Sequence, residues 1–167
     1  MDNRAAIVCL MKTLLIFFLL LPLTLKANNN TPNHTISNIE SFEWDKRIIL
    51  IHAIQMCEQT SQQLNLQINS INERHVLWFI LCDEKKDKRV LSNYLGIISA
   101  DFFGNIKKQY LLNKESNIIL IGKDGGTKYR SKRLSLNELF NRIDSMPMRQ
   151  SEMLEQQDLR KDEASST

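Results

Sequence analysis

A chain of 167 residues can bury one core of ordinary domain size and is short for two. Its 22 basic and 19 acidic residues nearly cancel, which removes any whole-molecule case for nucleic-acid binding. Without Arg4, Lys12, Lys26 and Asp2 of the first 27 residues, the balance is 19 to 18, a net charge of +1.

Residues 1–27 read as a secretory signal peptide. Arg4 and Lys12 supply the basic start, Leu14 to Leu25 the apolar run, and Leu25-Lys26-Ala27 a small-residue cleavage site. The run falls short of the ~20 residues a membrane-spanning helix needs. An uncleaved anchor is the alternative, and Met11-Lys12 would make a better-shaped start than Met1. Cys9 precedes the apolar run, the wrong side for a lipid-modified cysteine. Residues 28–41 are Asn-rich and polar, a flexible lead-in with Asn-x-Thr sequons at Asn29 and Asn33.

Ile48 to Ala53 is an apolar, β-branched run, expected as a strand, with Trp44 packing at its start and Arg47 marking the solvent boundary. Cys57, Thr60, Leu64, Ile68 and Ile71 recur at three- and four-residue steps, as on one face of a helix. Val76 to Cys82 is a second apolar strand, and the crossover between the two fits a parallel right-handed unit. Asp83 to Arg89 reads as a solvated charged loop. Ile106, Tyr110 and Leu111 suggest a helix over 101–112, after a stretch interrupted by Gly96.

Ile118 to Ile121 is a third buried strand. Lys123-Asp124-Gly125-Gly126 then predicts a hairpin with a type I′ turn, and Thr127, Tyr129 and Ser131 alternate with Lys128, Arg130 and Lys132 as on an edge strand. Ser135 and Glu138 have capping-box spacing, Leu134 and Leu139 that of a hydrophobic staple. Leu136, Leu139, Phe140 and Ile143 form the stripe of a helix that Pro147 stops. Residues 154–167 read as a frayed polar tail.

The run IGKDGGTKYRS, with LSLNELFNRIDSMPMRQSEM after it, resembles the C-terminal signature of the DUDES-type domain. That domain of unknown function occurs in short exported bacterial proteins and in vertebrate secreted sushi-repeat matrix proteins. FEWDKRIILIHA, from Phe42 to Ala53, is similar to its N-terminal strand entry, and NERHVLWFI, from Asn72 to Ile80, to its second strand. The resemblance covers 42–153. It implies a thioredoxin-like fold without the thioredoxin active site, and no known reaction. The element order agrees: an α/β thioredoxin-like core with a mixed four-stranded sheet built from a βαβ unit, a helix, a β-hairpin and a C-terminal helix. Its parallel strands end on one sheet edge, where open α/β sheets place their sites.

Dithiol exchange needs Cys-x-x-Cys at a helix start, where the dipole lowers the thiol pKa. Cys57-Glu58-Gln59-Thr60 has one thiol, and Lys114-Glu115-Ser116-Asn117 lacks the proline that precedes the third strand of thioredoxins. Cys57 and Cys82 leave three readings open: a disulfide, worth about 3.5 kcal/mol on the chain-entropy model, inert core residues, or a reactive thiol at Cys57. His52 could join them in a Cys-Cys-His metal site, although the spacing matches no zinc motif and a hydrogen-bonded core histidine is the simpler reading. His75, at the other end of its strand, cannot reach them. Lys123, Lys128, Arg130, Lys132 and Arg133 form a candidate anion-binding face on the hairpin, against the reading of an ordinary wet edge. Met146, Met148 and Met153 read as closing the end of the core, and Asp144 and Arg149 as a corner pair.

These residues imply no cofactor and no metal. The leading expectation is a periplasmic or secreted, non-catalytic accessory or binding module. Its partner would be another envelope or extracellular protein, with no nucleic acid and no membrane span once the signal is cleaved. A thiol redox protein using Cys57, with or without Cys82, and a basic-hairpin module binding acidic polymers are the alternatives. Export predicts a mature chain beginning near Asn28. N-terminal sequencing of envelope material that returned Met1 or Met11 would contradict it.

Overall fold

The structure is a computed structural model that describes residues 35–84, 87–112 and 115–165. The expected signal segment and the first part of the lead-in lie outside the described residues. Among the described residues seven strands form two sheets: β1 (Thr35–Ile36), β2 (Arg47–Ala53), β3 (Val76–Glu84), β4 (Asp87–Ser92), β5 (Ile97–Ile98), β6 (Ile118–Ile121) and β7 (Thr127–Ser131). The helices are α1 (Cys57–Asn65), α2 (Ile68–Glu73), α3 (Phe102–Ile106), α4 (Leu136–Asp144) and α5 (Pro147–Ser165), with a π-helical turn over Lys107–Leu111.

The main sheet runs β4-β3-β2-β6-β7. β2 and β3 are parallel, joined by α1 and α2, while β6 runs antiparallel to β2 and β7 to β6. The first long strand therefore lies between the second and the third, which is the thioredoxin-like arrangement the element order implies. The sheet has five strands rather than the expected four. β4 occupies much of what read as a charged loop, because β3 runs on to Glu84 and β4 folds back on it in register, Cys82 opposite Arg89 and Asp83 opposite Lys88. At the end of β4 the ladder is finished by side chains: Ser92 Oγ donates to the Trp78 carbonyl, and Asn93 Oδ1, one residue on, accepts from the Trp78 amide.

Strand alternation sorts the apolar runs onto two faces. Ile49, Ile51, Ala53, Trp78, Ile80, Cys82, Ile118 and Leu120 pack with Cys57, Leu64, Ile71, Leu139 and Ile143, so α1, α2 and α4 cover one face. Ile48, Leu50, Phe79, Leu81, Ile119 and Ile121 pack with Phe102, Ile106 and Leu111 on the other. Burial on both sides explains why β2, β3 and β6 read as continuous apolar runs. Ile36 and Ile39, from the stretch read as a flexible lead-in, are buried on the second face, and β1 pairs parallel with β5.

Local chemistry departs from expectation at several points. The helical stripe from Cys57 to Ile71 is two helices, broken at Leu66 and Gln67, with Leu66 exposed. The hairpin turn is not type I′: among the described glycines and neighbouring turn residues only Gly125 has positive φ, at 71°, and the strand register shifts by one residue between Leu120 and Ile121. A type I turn closed by a left-handed glycine gives the same hairpin with one extra residue. Trp44 does not pack under β2; it is 69% exposed, held at φ 68°. Pro147 both ends one helix and starts the next, the first-turn position where its missing N–H costs nothing. α5 then runs through the expected frayed tail to Ser165.

Ser135 caps α4 by accepting from the Glu138 amide at 3.4 Å, while the Glu138 carboxylate faces Arg142 at 3.7 Å. Only half of the capping box is thus made. Ser135→Ala should lower stability by about 1 kcal/mol, Glu138→Ala by less, and the two losses should add in denaturant melts. A clearly sub-additive double mutant would mean that the reciprocal bond forms.

Candidate functional site

The carboxyl edge of the two parallel strands is where the fold leads one to look. β3 places Cys82 opposite Ala53, and the chain leaving β2 turns through Met56, at φ 63°, into the first residue of α1, Cys57. The two cysteines are joined in a disulfide with Cα atoms 6.0 Å apart, within the roughly 4.4–6.8 Å of such bonds. Cys57 is 1% exposed and Cys82 0%. Ile54 and Met56 stand exposed on the loop above them.

His52 precedes Ala53, so alternation sends it to the opposite face from the disulfide. There its Nε2 lies 3.2 Å from Asp83 Oδ2. Asp83 also takes a hydrogen bond from Lys107, which holds its carboxyl below the usual range against partial desolvation. The Cys-Cys-His metal site is therefore ruled out by strand geometry. Among the described residues no group of three or more His, Cys, Asp or Glu is placed to hold a metal ion.

At the opposite edge the structure brings together residues that sequence reasoning treated separately. Arg47, expected at the solvent boundary, is 1% exposed and donates to both carboxylate oxygens of Glu152 at 3.0 and 3.1 Å. Lys123 lies 2.9 Å from Glu152 Oε1 and 3.0 Å from His75 Nδ1. Arg149, 0% exposed, reaches Glu73 at 2.9 Å and Asp144 at 3.4 Å, and Arg74 holds Asp144 at 2.6 Å. Desolvation raises the Glu152 pKa, but the hydrogen bonds from Arg47 and Lys123 outweigh it and bring it down to about 2. His75 is lowered by its own desolvation and then by the Lys123 charge. The Asp144–Arg149 pair read as a corner contact is thus part of a buried network that fastens α5 to the start of β2.

The basic residues of the hairpin do not share one unpaired face. Lys123 is buried in this network, Lys128 pairs with Asp124 at 2.6 Å, and Lys132 pairs with Glu115 at 2.8 Å. Arg130 donates to the Tyr110 carbonyl at 3.2 Å, and Arg133 is exposed. Met146 packs against the core, whereas Met148 is 42% exposed.

Residues 38–152 match the family described as "Domain of unknown function (DUF4174)". The chain belongs to that family. The match ends at Glu152 and takes in Arg47, Lys123 and Arg149. No curated protein matches. Among solved structures the chain is similar to the reduced 2-Cys peroxiredoxin of Plasmodium vivax, with 17% identity and a TM-score of 0.48 over 66% of this chain and 70% of that one. It is similar to the mitochondrial 2-Cys peroxiredoxin from Plasmodium falciparum, at 14% identity and a TM-score of 0.45 over 63% of this chain and 77% of that one. Thioredoxin peroxidase I of Plasmodium yoelii gives 18% and 0.48, over 68% of this chain and 79% of that one. Among the described residues no helix is long and apolar enough to cross a membrane.

Removing Glu152 would leave Arg47 and Lys123 buried without a counter-charge, so Glu152→Gln should cost about 3 kcal/mol in denaturant unfolding. Because the folded pKa of about 2 lies below the ordinary 4.5, the stabilisation is present above 4.5 and is lost as pH falls toward 2. The variant should lose most of the wild type's pH dependence in that window. Equal acid sensitivity of the two proteins would show that other carboxylates set it.

Proposed function

We propose that this is an exported, non-catalytic accessory or binding module of thioredoxin-like architecture in which the Cys57–Cys82 disulfide is a structural crosslink. The observation that carries the reading is the burial of both cysteines in the core between the sheet, α1 and α4. Thiol–disulfide exchange needs a sulfur that a thiolate can approach in line. A bond sealed on the core face of β3 denies that approach. The buried disulfide also agrees with an oxidising compartment, to which the basic and apolar segments of residues 1–27 point. Reading the chain as a DUDES-type domain, a resemblance drawn from its sequence alone, would place it outside the cytoplasm as well.

A second reading, reversible redox chemistry at the same pair, draws on one observation. Cys57 opens α1 directly after Met56, whose positive φ marks a strained turn at the carboxyl edge.

Alkylation of native protein prepared without reductant should modify neither residue. Dithiothreitol should open the bond slowly unless denaturant is added, and the reduced protein should be less stable by about 3.5 kcal/mol. Two rapidly alkylated thiols would sink the structural reading. Reduction of the native fold as fast as an unprotected disulfide would transfer the case to redox chemistry.

A further inference from the structure

The buried network at the start of β2 opens on one side into a cleft. Arg47, Gly122, Lys123, Asp124, Lys128 and the turn Met146-Pro147-Met148 line it, around a volume of about 310 Å³. That is the low end of the roughly 300–1,000 Å³ of small-molecule sites.

Four features of the cleft and of the network behind it bear on what it can hold. The first is charge. Arg47, Lys123, Arg149 and Arg74 are set against Glu152, Glu73 and Asp144, leaving one positive charge in excess, since Lys128 and Asp124 neutralise each other. The second is an orphan donor. Arg47 gives its terminal nitrogens to Glu152 and to the Arg74 carbonyl, while its buried Nε has no partner. A buried donor left unpaired in a residue that lines the cleft is costly, and it marks the network as less than fully satisfied. The third is the helix end. Pro147 and Met148, the first residues of the 19-residue α5, line the cleft, so the positive dipole end of that helix lies beside it.

The fourth is backbone strain. Among the described residues three non-glycine positions have positive φ: Trp44, Met56 and His75. Two of them are bonded to Lys123, Trp44 by donating its amide to the Lys123 carbonyl and His75 by accepting from Lys123 Nζ. Strain of this kind gathers where a structure holds a group in place for binding. Opposite the cations, Met146, Pro147 and Met148 give an apolar wall of the adaptable sort that thioether side chains make.

We propose that this cleft binds a monoanionic carboxylate that carries an apolar body, either a small organic acid or the free carboxyl end of a peptide. One excess charge matches one carboxylate better than a phosphate dianion, and the Met-Pro-Met wall takes the apolar part. The site lies at the opposite end of β2 from Cys57, so it does not depend on the role of the disulfide.

Titration of the full chain with hexanoate, followed by amide NMR shifts of Gly122, Lys123 and Met148, tests it. Hexanoate should shift all three at millimolar concentration. Hexanol, which lacks the charge, and acetate, which lacks the apolar body, should bind at least about tenfold more weakly. Met148→Glu puts a like charge on the exposed wall and should weaken hexanoate about tenfold without changing the thermal midpoint. Lys128→Gln, also outside the buried network, should act in the same direction. A peptide ending in a free leucine carboxylate that outbinds both hexanoate and its own C-terminal amide would identify a protein terminus as the source. Tighter binding of hexanoate would identify a small acid. The proposal fails if hexanoate leaves the three amides unmoved, if hexanol binds as well, or if both variants bind hexanoate like the parent.

Discussion

The Arg47–Glu152 pair is the interaction on which the rest of this fold closes. Arg47 is the first residue of the central strand β2, and Glu152 lies in the second turn of α5, 105 residues later. Both are taken out of water, so neither charge is tolerable without the other. The pair therefore sets where the C-terminal helix can lie. Arg149, one helical turn back, repeats the logic against Glu73 at the end of α2 and Asp144 at the end of α4. Three helix ends and the start of the parallel strands are thus fixed by one ionic network. An apolar contact there could be slid or rotated; a bidentate Arg–carboxylate pair has one good geometry.

The second constraint is the double burial of β2 and β3. When both faces of a strand are covered, neighbouring residues belong to different layers. That is why Ala53 shares a layer with the disulfide while His52, one residue earlier, meets Asp83 and Lys107 on the other side of the sheet. Residues close in sequence and grouped at one sheet edge are separated by the thickness of the sheet. A histidine near two cysteines in the sequence is not a metal site unless the parity of its strand position agrees.

The same physics decides what was legible in the sequence. The apolar runs of β2, β3 and β6, the cap at Ser135 and the Asp-Gly turn announce themselves through local composition, and the sheet order came from the thioredoxin-like fold that their sequence of elements matches. β4 did not, because Lys88 and Arg89 look solvated whether they sit in a loop or on an edge strand; only pairing with Asp83 and Cys82 distinguishes the two. Ile36 and Ile39 were hidden by their polar neighbours, too short a pattern to reveal a period. The network at Glu152 was the least legible part. Arg47, Lys123, Arg149 and Glu152 each look like surface charges, and nothing local says that they meet. One signal was available: the Met-Pro-Met-Arg-Gln-Ser-Glu-Met stretch stood within the family-like signature, and its Arg and Glu fall three residues apart on one helix face.

The two ends of β2 are therefore unlike in kind. At the carboxyl edge, where a thioredoxin-like sheet would offer its chemistry, two sulfurs are tied to each other and sealed beneath α1. At the amino edge, charges are buried at some expense in stability, Trp44 and His75 are held in backbone conformations that side chains avoid, and one arginine nitrogen is left without a partner. A fold under no demand there could replace such a network with apolar side chains and lose nothing, or gain. It keeps charge, strain and an open cleft together at one end and spends a covalent bond on closing the other, a division that fits the ligand site proposed at the amino edge.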